Sequence, residues 1–255
     1  MTSEPLLTID EEPISAAQVF RYLQAGRKLD GFIGEIVRQF VIERELIARE
    51  QELAIAPTVV EQAIIDFRLQ QKLTDAQQFQ QWLANSSNTF EAFYAQVANG
   101  FKLQKLREVV TEAKLPEYFI ERKVFLDRVI MSRIIVADKE LAEELKSQIQ
   151  DGARFEQLAR EYSITDDRIM NGMLGAISRG AMPDALRAAV DLAQPGEVIG
   201  PLGLDDRWGL FRIEEFVAAS MDDRQIRQSL QDELFEQWLG EKMQTLPIRL
   251  QLGES

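Results

Sequence analysis

Apolar residues in the first half of the chain recur mostly at three- and four-residue spacing, which is the period of a helix that buries one face. Capping boxes mark two of the helix starts and are formed by Ser15 with Gln18 and by Thr58 with Glu61. In the second helix the apolar residues that recur at this spacing are Ile33, Ile36, Val37, Phe40, Val41 and Ile47. The pattern predicts five helices, at about 15–26, 31–53, 59–73, 76–85 and 89–113.

After Pro116 the pattern changes to short elements that mix both periods. A β-branched run at 130–136 predicts a strand, and turn signals separate the segments that follow it. We expect helices at 140–150, 155–162 and 183–192, and further strands at 173–178, 197–202 and 208–216. This order predicts an α+β domain with a four-stranded sheet, at a size of about 90 residues that still folds as a unit.

The last segment, 222–243, is again an amphipathic helix. A lone helix cannot bury its apolar stripe, so we expect it to pack against the helices of the first half. The predicted organisation is therefore an N-terminal helical domain at 1–126, an inserted α+β domain at 127–217, and a C-terminal helical segment at 218–255 that completes the helical domain.

The amino-acid composition excludes several classes of function. Acidic residues outnumber basic ones by 42 to 29, the formal charge is -13, and the short basic groups lie between acidic residues, so we expect no nucleic-acid partner. The chain has no histidine and no cysteine. This excludes thiol nucleophiles, disulfides, the usual zinc sites and imidazole-based acid–base schemes, and neither a metal nor a cofactor is expected.

The N-terminal sequence and the hydropathy pattern bear on location. The first 15 residues carry four acidic side chains and lack the basic and apolar regions of a signal peptide. No stretch approaches the roughly 20 apolar residues of a membrane span. We therefore expect a cytoplasmic protein without a membrane-spanning segment.

Five segments in order resemble the parvulin family of peptidyl-prolyl isomerases. They are RVIMSRIIV at 128–136, GARFEQLAREYS at 152–163, NGMLGAISRGAMPDAL at 171–186, PGEVIGPL at 195–202 and WGLFRI at 208–213. The glycines and apolar residues at these positions also have structural reasons to be there, since they fit sharp turns and the helix face that covers a sheet. The resemblance covers nearly all of the predicted α+β domain and implies the parvulin fold.

The resemblance also implies an apolar pocket for proline. Its residues map to Leu174, Met182, Leu186 and Phe211, with Trp208 as a further candidate for the groove. Leu186 stands where the family usually has phenylalanine. Met182 is alternatively a core residue and Trp208 alternatively a cover for the sheet, while Arg179 is either a solvated turn residue or a charge that steers an acidic peptide.

The polar centre of the family is the part that differs. Its two histidines fall at Arg133 and Phe211, and its Cys or Asp falls near Thr165 or Asp166. The candidate catalytic residues are therefore Asp166, Thr165 and Arg133, with an expected ion pair between Arg133 and Asp166. Alternatively, Asp166 and Asp167 only cap a loop or helix.

The helical part is similar to the outer domain of SurA-like and PrsA-like foldases. Residues 15–42 also resemble cytoplasmic parvulin-like proteins of cyanobacteria that are associated with secretion. These resemblances imply unfolded, proline-containing polypeptides as clients and secretion machinery as a further partner. The expected function is prolyl isomerisation; the alternatives are a holdase with weak or no isomerase activity and a secretion adaptor.

Overall fold

The computed structural model describes residues 5–250, which form two compact units. One unit contains the chain up to Ala113 and again from Gln231, and the other runs from Lys114 to Leu230. This division assigns residues 114–126 and 218–230 to the α+β unit, whereas the sequence placed the boundaries at 126 and 217.

The first unit begins with a small hairpin that the sequence did not predict. Its strands are β1 (Leu7–Ile9) and β2 (Glu12–Ile14), paired antiparallel. Five helices follow, close to their predicted bounds: α1 (Ala16–Ala25), α2 (Leu29–Ala48), α3 (Pro57–Gln70), α4 (Ala76–Asn85) and α5 (Phe90–Thr111). The Ser15 capping box is present, and the side chains of Asp75 and Thr89 cap α4 and α5. The predicted box of Thr58 and Glu61 is wrong, because α3 begins at Pro57, after Ala56, and no side chain caps it.

The second unit opens with a helix that was not predicted, α6 (Leu115–Leu126). Pro116 had indicated a break, but it lies in the first turn of α6, where a proline costs no hydrogen bond and its fixed φ suits the helix. The remaining elements are β3 (Arg128–Val136), α7 (Lys139–Gln150), α8 (Phe155–Tyr162), β4 (Met173–Ser178), α9 (Asp184–Leu192), β5 (Val198–Leu204) and β6 (Arg207–Val217). Short 3-10 turns lie at Asp166–Met170 and Arg179–Ala181.

The C-terminal helix α10 (Arg224–Gln244) completes the helical core. Buried residues of α2, α5, α10 and the turn after α2 share one apolar cluster, which contains Val37, Val41, Ile42, Leu53, Leu106, Phe235 and Leu239. A second cluster joins α3, α4 and α5 through Val60, Ile64, Phe79, Leu83 and Phe93. The predicted fold class is confirmed: the two ends of the chain build one helical domain, and an α+β domain is inserted between them.

The apolar residues that recur at helical spacing in α2 do not all face the core. Val37 and Val41 are buried, but Ile36, Phe40 and Ile47 are 50%, 53% and 76% exposed. The apolar residues of α2 therefore cover two faces of the helix, and only one of them meets the core.

The four strands of the second unit form an antiparallel sheet in the order β4-β3-β6-β5. Each face has its own core. On one face, α9 covers a cluster that includes Val129, Met131, Ile135, Phe211 and Ile213; on the other, α7 and α8 cover a cluster that includes Ile134, Val136 and Leu210. The alternation of side chains along β3 and β6 thus sends neighbouring residues into different cores.

Candidate active site

Arg133 and Phe211, the two positions where the family resemblance places histidines, lie directly opposite each other in the β3–β6 register. Side chains of directly opposed residues project from the same face of a sheet, here the face covered by α9. The ring of Phe211 lies over Gly209, where a Cβ would overlap both that ring and Ile135. A side chain at residue 209 would therefore displace the ring of Phe211 from its place beside Arg133.

Four of the five predicted substrate-binding residues come together on this face. Met182, which follows the 3-10 turn at 179–181, and Leu186 of α9 lie in the same cluster as Phe211, and Leu174 of β4 packs against it. Phe211 also lies opposite Ile199 of β5. The cluster therefore draws on all four strands, a turn and a helix.

The cluster is closed rather than an open cleft. Met182, Leu186 and Phe211 are only 5%, 7% and 2% exposed, while Leu174 is half-buried. Leu174 is therefore the most exposed of the four residues. Methionine is unbranched and changes rotamer readily, so Met182 is the member best suited to open the cluster.

Trp208 lies apart from these four residues. It packs on the opposite face of the sheet, against the cluster under α7 and α8, with the ammonium group of Lys139 5.4 Å from its ring centroid. This position agrees with the alternative that Trp208 covers the sheet.

The expected ion pair between Arg133 and Asp166 is wrong, because the partner of Arg133 is Asp167. Nε and Nη2 of Arg133 each lie 2.7 Å from Oδ2 of Asp167. The 3-10 turn at 166–170 directs the side chain of Asp167 toward β3 and leaves Asp166 exposed. Five N–H groups are available on a guanidinium, so Arg133 keeps donors for a ligand after it has bound Asp167.

A chain of hydrogen bonds holds Asp167 in place. The Thr165 hydroxyl donates to Oδ1 of Asp167 at 2.6 Å and lies 3.0 Å from the hydroxyl of Ser163. The backbone N–H of Ile135 donates to Oγ of Ser163 at 3.1 Å. The network connects Arg133 and Ile135, both in β3, through the loop that follows α8.

The same loop forms hydrogen bonds with the part of β3 that lies beyond its pairing with β4. Arg133 N–H donates to the carbonyl of Gly172, and Ile164 N–H donates to that of Ile135. Gly172 has φ +79°, and a Cβ there would overlap the carbonyl of Arg133, so only glycine fits this approach. The loop and β3 are thereby joined by hydrogen bonds at Arg133 and at Ile135.

Sequence reasoning missed Asp167 as the partner of Arg133, and Ser163 altogether. For Ser163 the sequence held a signal, since it closes the motif GARFEQLAREYS. For Asp167 the sequence contained no such signal, because the backbone conformation alone decides which of two adjacent aspartates in a loop points toward β3. Within residues 5–250, no three acidic side chains converge in a way that could hold a metal ion.

The comparisons with known proteins identify the class of this domain. Residues 133–215 match the family described as Rotamase, PPIC-type PPIASE domain. The chain therefore contains a parvulin-type peptidyl-prolyl isomerase domain, as the motifs had predicted.

Among characterised proteins, the chain is similar to PrsA foldases. Foldase protein PrsA 2 of Listeria innocua serovar 6a is 28% identical over 172 residues, which cover 66% of this chain and 58% of that protein. Foldase protein PrsA of Bacillus subtilis strain 168 is 31% identical over 133 residues, which cover 52% of this chain and 44% of that protein. The chain thus spans about half the length of the curated relatives that it matches.

A solved structure shares the fold over nearly the whole chain. The crystal structure of peptidylprolyl isomerase (PrsA) from Bacillus cereus superposes with a TM-score of 0.51 and 17% identity, and covers 98% of this chain and 95% of that one. Between residues 5 and 250, no helix combines the length and apolar character required to cross a membrane.

Proposed function

We propose that this protein is a peptidyl-prolyl isomerase and foldase that acts on unfolded or extended polypeptides. The observation that carries the proposal is the match of residues 133–215 to the isomerase domain family. The convergence of Leu174, Met182, Leu186 and Phe211 supports an apolar site for proline within that domain.

The reaction can proceed without a nucleophile, a metal or histidine. Rotation about the prolyl bond is opposed by amide resonance, a barrier of about 18–20 kcal/mol. The twisted amide has less charge separation than the planar one, so an apolar surface binds the twisted form better and lowers the barrier. Met182 and Leu186 provide that surface on this chain.

Arg133 provides the polar contact in this proposal. Its guanidinium lies on the same face as Phe211, and Asp167 holds it from one side through Oδ2. The remaining N–H groups can donate to a carbonyl oxygen of the bound peptide. Asp167 and Thr165 act through Arg133 and are positioning residues, and Asp166 has no role.

The test is acceleration of cis-to-trans conversion in a Xaa-Pro tetrapeptide. We expect the wild-type protein to accelerate it, and Met182→Ala and Leu186→Ala to abolish most of the acceleration. Met170→Ala is the matched control, because Met170 is 63% exposed in the same domain. No rate above that of buffer at high protein concentration would refute the isomerase.

A holdase is the second candidate, favoured by exposed apolar residues on α2. Phe32, Ile36 and Phe40, spaced by four residues, are 41%, 50% and 53% exposed. The proposal predicts that Met182→Ala still suppresses aggregation of an unfolded client, whereas Phe40→Ser loses this effect. Suppression that disappears with Met182→Ala would instead assign client binding to the isomerase site.

The secretion machinery and the cytoplasmic location remain predictions from the sequence. A pull-down from native lysate tests the first and should recover secretion components in preference to random nascent chains. Cell fractionation tests the second.

A further inference from the structure

The turn that carries Met182 is held from outside the family domain. The family match begins at residue 133, but α6 and Asp127 precede it and belong to the same compact unit. Three contacts connect this preceding segment to residues 178–180. They involve a side-chain hydrogen bond, a ring packed on a glycine, and a backbone hydrogen bond beside an ion pair.

The first two contacts come from Phe125 at the end of α6. Its carbonyl accepts a hydrogen bond from the Ser178 hydroxyl at 2.7 Å. Its ring occupies the space above Gly180, where a Cβ would overlap the ring atoms. Because Gly180 has no side chain, the end of α6 can pack directly on the turn and fix its position.

The third contact is a chain of charges that runs through Arg179. The backbone N–H of Arg179 donates to the carbonyl of Asp127 at 3.0 Å, and its Nη1 lies 3.4 Å from Oδ2 of Asp127. Its Nε donates to Oδ1 of Asp191 at 3.1 Å. Arg179 is therefore neither a solvated turn residue nor a free charge for an acidic peptide, since two carboxylates hold it.

This chain of charges is connected to the two residues proposed to bind proline, Met182 and Leu186. Asp191 lies on α9, which also carries Leu186. The carbonyl of Arg179 accepts the N–H of Met182 at 3.3 Å. Asp127 is itself fixed, because Oδ1 accepts hydrogen bonds from Lys123 at 2.8 Å and from the backbone N–H of Ala219 at 2.9 Å.

We infer that Phe125 and Asp127 are positioning residues of the isomerase site, which set the place of Met182 and Leu186 through the turn at 178–182 and Arg179. The inference rests on the proposed isomerase function. It extends the functional domain on the N-terminal side beyond the residues that match the family. Displacement of a substrate-binding residue by about 1 Å can lower the rate up to 100-fold, so a shift of Met182 or Leu186 should be measurable in the rate.

The test uses the full chain and a compensating pair of substitutions. Gly180→Ala places a methyl group against the Phe125 ring and should lower kcat/KM for a Xaa-Pro tetrapeptide by about tenfold. Phe125→Ala in the same chain removes the ring, and the double variant should recover activity relative to Gly180→Ala. Asp127→Asn should also lower kcat/KM, while Asp206→Asn, in the exposed β5–β6 turn, should not.

The ε-methyl NMR resonance of Met182 provides a readout that does not depend on turnover. It should shift in Gly180→Ala and Asp127→Asn, return toward the wild-type position in the double variant, and stay unchanged in Asp206→Asn. Variants that only lower the melting temperature, with the Met182 resonance and kcat/KM unchanged in the folded protein, would overturn the inference. An inactive wild-type protein would refute the proposed function, and the Met182 resonance would still decide the positioning role.

Discussion

The guanidinium of Arg133 binds a single oxygen of Asp167, with Nε and Nη2 both 2.7 Å from Oδ2. The second oxygen of Asp167 accepts the Thr165 hydroxyl. The pair is partly buried, since the side chains of Arg133 and Asp167 are 32% and 14% exposed. Opposite charges thus neutralise each other beside the apolar cluster, where the family resemblance places two histidines.

Asp167→Asn should destabilise the protein, because it leaves Arg133 without a compensating charge in a partly buried place. Full burial would make the loss larger, but the exposed third of Arg133 reduces it to about 1–2 kcal/mol in the free energy of unfolding. Urea unfolding followed by circular dichroism measures it. Asp166→Asn is the matched control one residue away and should change stability by less than about 0.5 kcal/mol. Equal effects of the two substitutions would contradict the assignment of Asp167 as the partner.

The sequence predicted the elements of this fold closely, because capping residues and periodicity are local signals. Strand 173–178 and helix 155–162 agree with the structure to the residue. The α6 helix was missed because of Pro116. A proline in the interior of a helix breaks it, whereas a proline in the first turn favours it, and the sequence alone does not distinguish the two cases.

The candidate site was predicted only in part, and that part came from the family motifs rather than from local periodicity. The family motifs at 171–186 and 208–213 contain Leu174, Met182, Leu186 and Phe211, and the structure brings these four residues to one cluster. The choice between Asp166 and Asp167 depends on a single 3-10 turn, and the side of the sheet occupied by Trp208 depends on strand register. A one-residue change in either reverses the result.

Ser163→Ala should destabilise the isomerase domain. Ser163 is 1% exposed, and its hydroxyl is the acceptor for the backbone N–H of Ile135. Without that acceptor, a buried N–H remains unpaired, which costs about 1–3 kcal/mol. Chemical denaturation measures the loss, and amide hydrogen exchange at Ile135 should become faster in the variant.

Ser147→Ala serves as the control for this prediction. Ser147 is exposed within α7, and alanine favours helix there, so stability should stay the same or rise slightly. A loss for Ser147→Ala as large as that for Ser163→Ala would contradict the role of the Ser163 hydroxyl.

Leu239→Ala should destabilise the helical unit. Leu239 of α10 is 1% exposed and lies in the cluster shared with α2 and α5. Removal of a buried leucine side chain costs about 2–5 kcal/mol, depending on how far the cavity collapses. Leu69→Ala is the matched control, because Leu69 is 59% exposed on α3 of the same unit. Thermal unfolding of both variants measures the difference, and similar melting temperatures would count against α10 as part of this core.

Glu45 should make the helical unit sensitive to acid. It is 7% exposed on α2, and its carboxylate accepts hydrogen bonds from Lys242 at 2.8 Å and from Arg49 at 3.2 Å. Burial favours the neutral acid, but these two hydrogen bonds outweigh it and hold the pKa of Glu45 below its ordinary value. Lys242 belongs to α10, so the ionised form of Glu45 stabilises the contact between α2 and α10.

The sign of the pH effect follows from this lowered pKa. The contribution of Glu45 to the free energy of unfolding is fully present above the ordinary pKa of glutamate, about 4.3, and is lost as the pH falls through the lower pKa of the folded state. Glu45→Gln should therefore be less stable than the wild type at pH 7, and the difference should shrink as the pH falls below about 4.3. Glu43→Gln, at an exposed position two residues earlier, should follow the wild type at every pH. Urea unfolding at pH 7, 5 and 4 and below measures these curves. A Glu45→Gln curve parallel to that of the wild type down to the acid limit would show that the Lys242 and Arg49 contacts do not stabilise the ionised carboxylate.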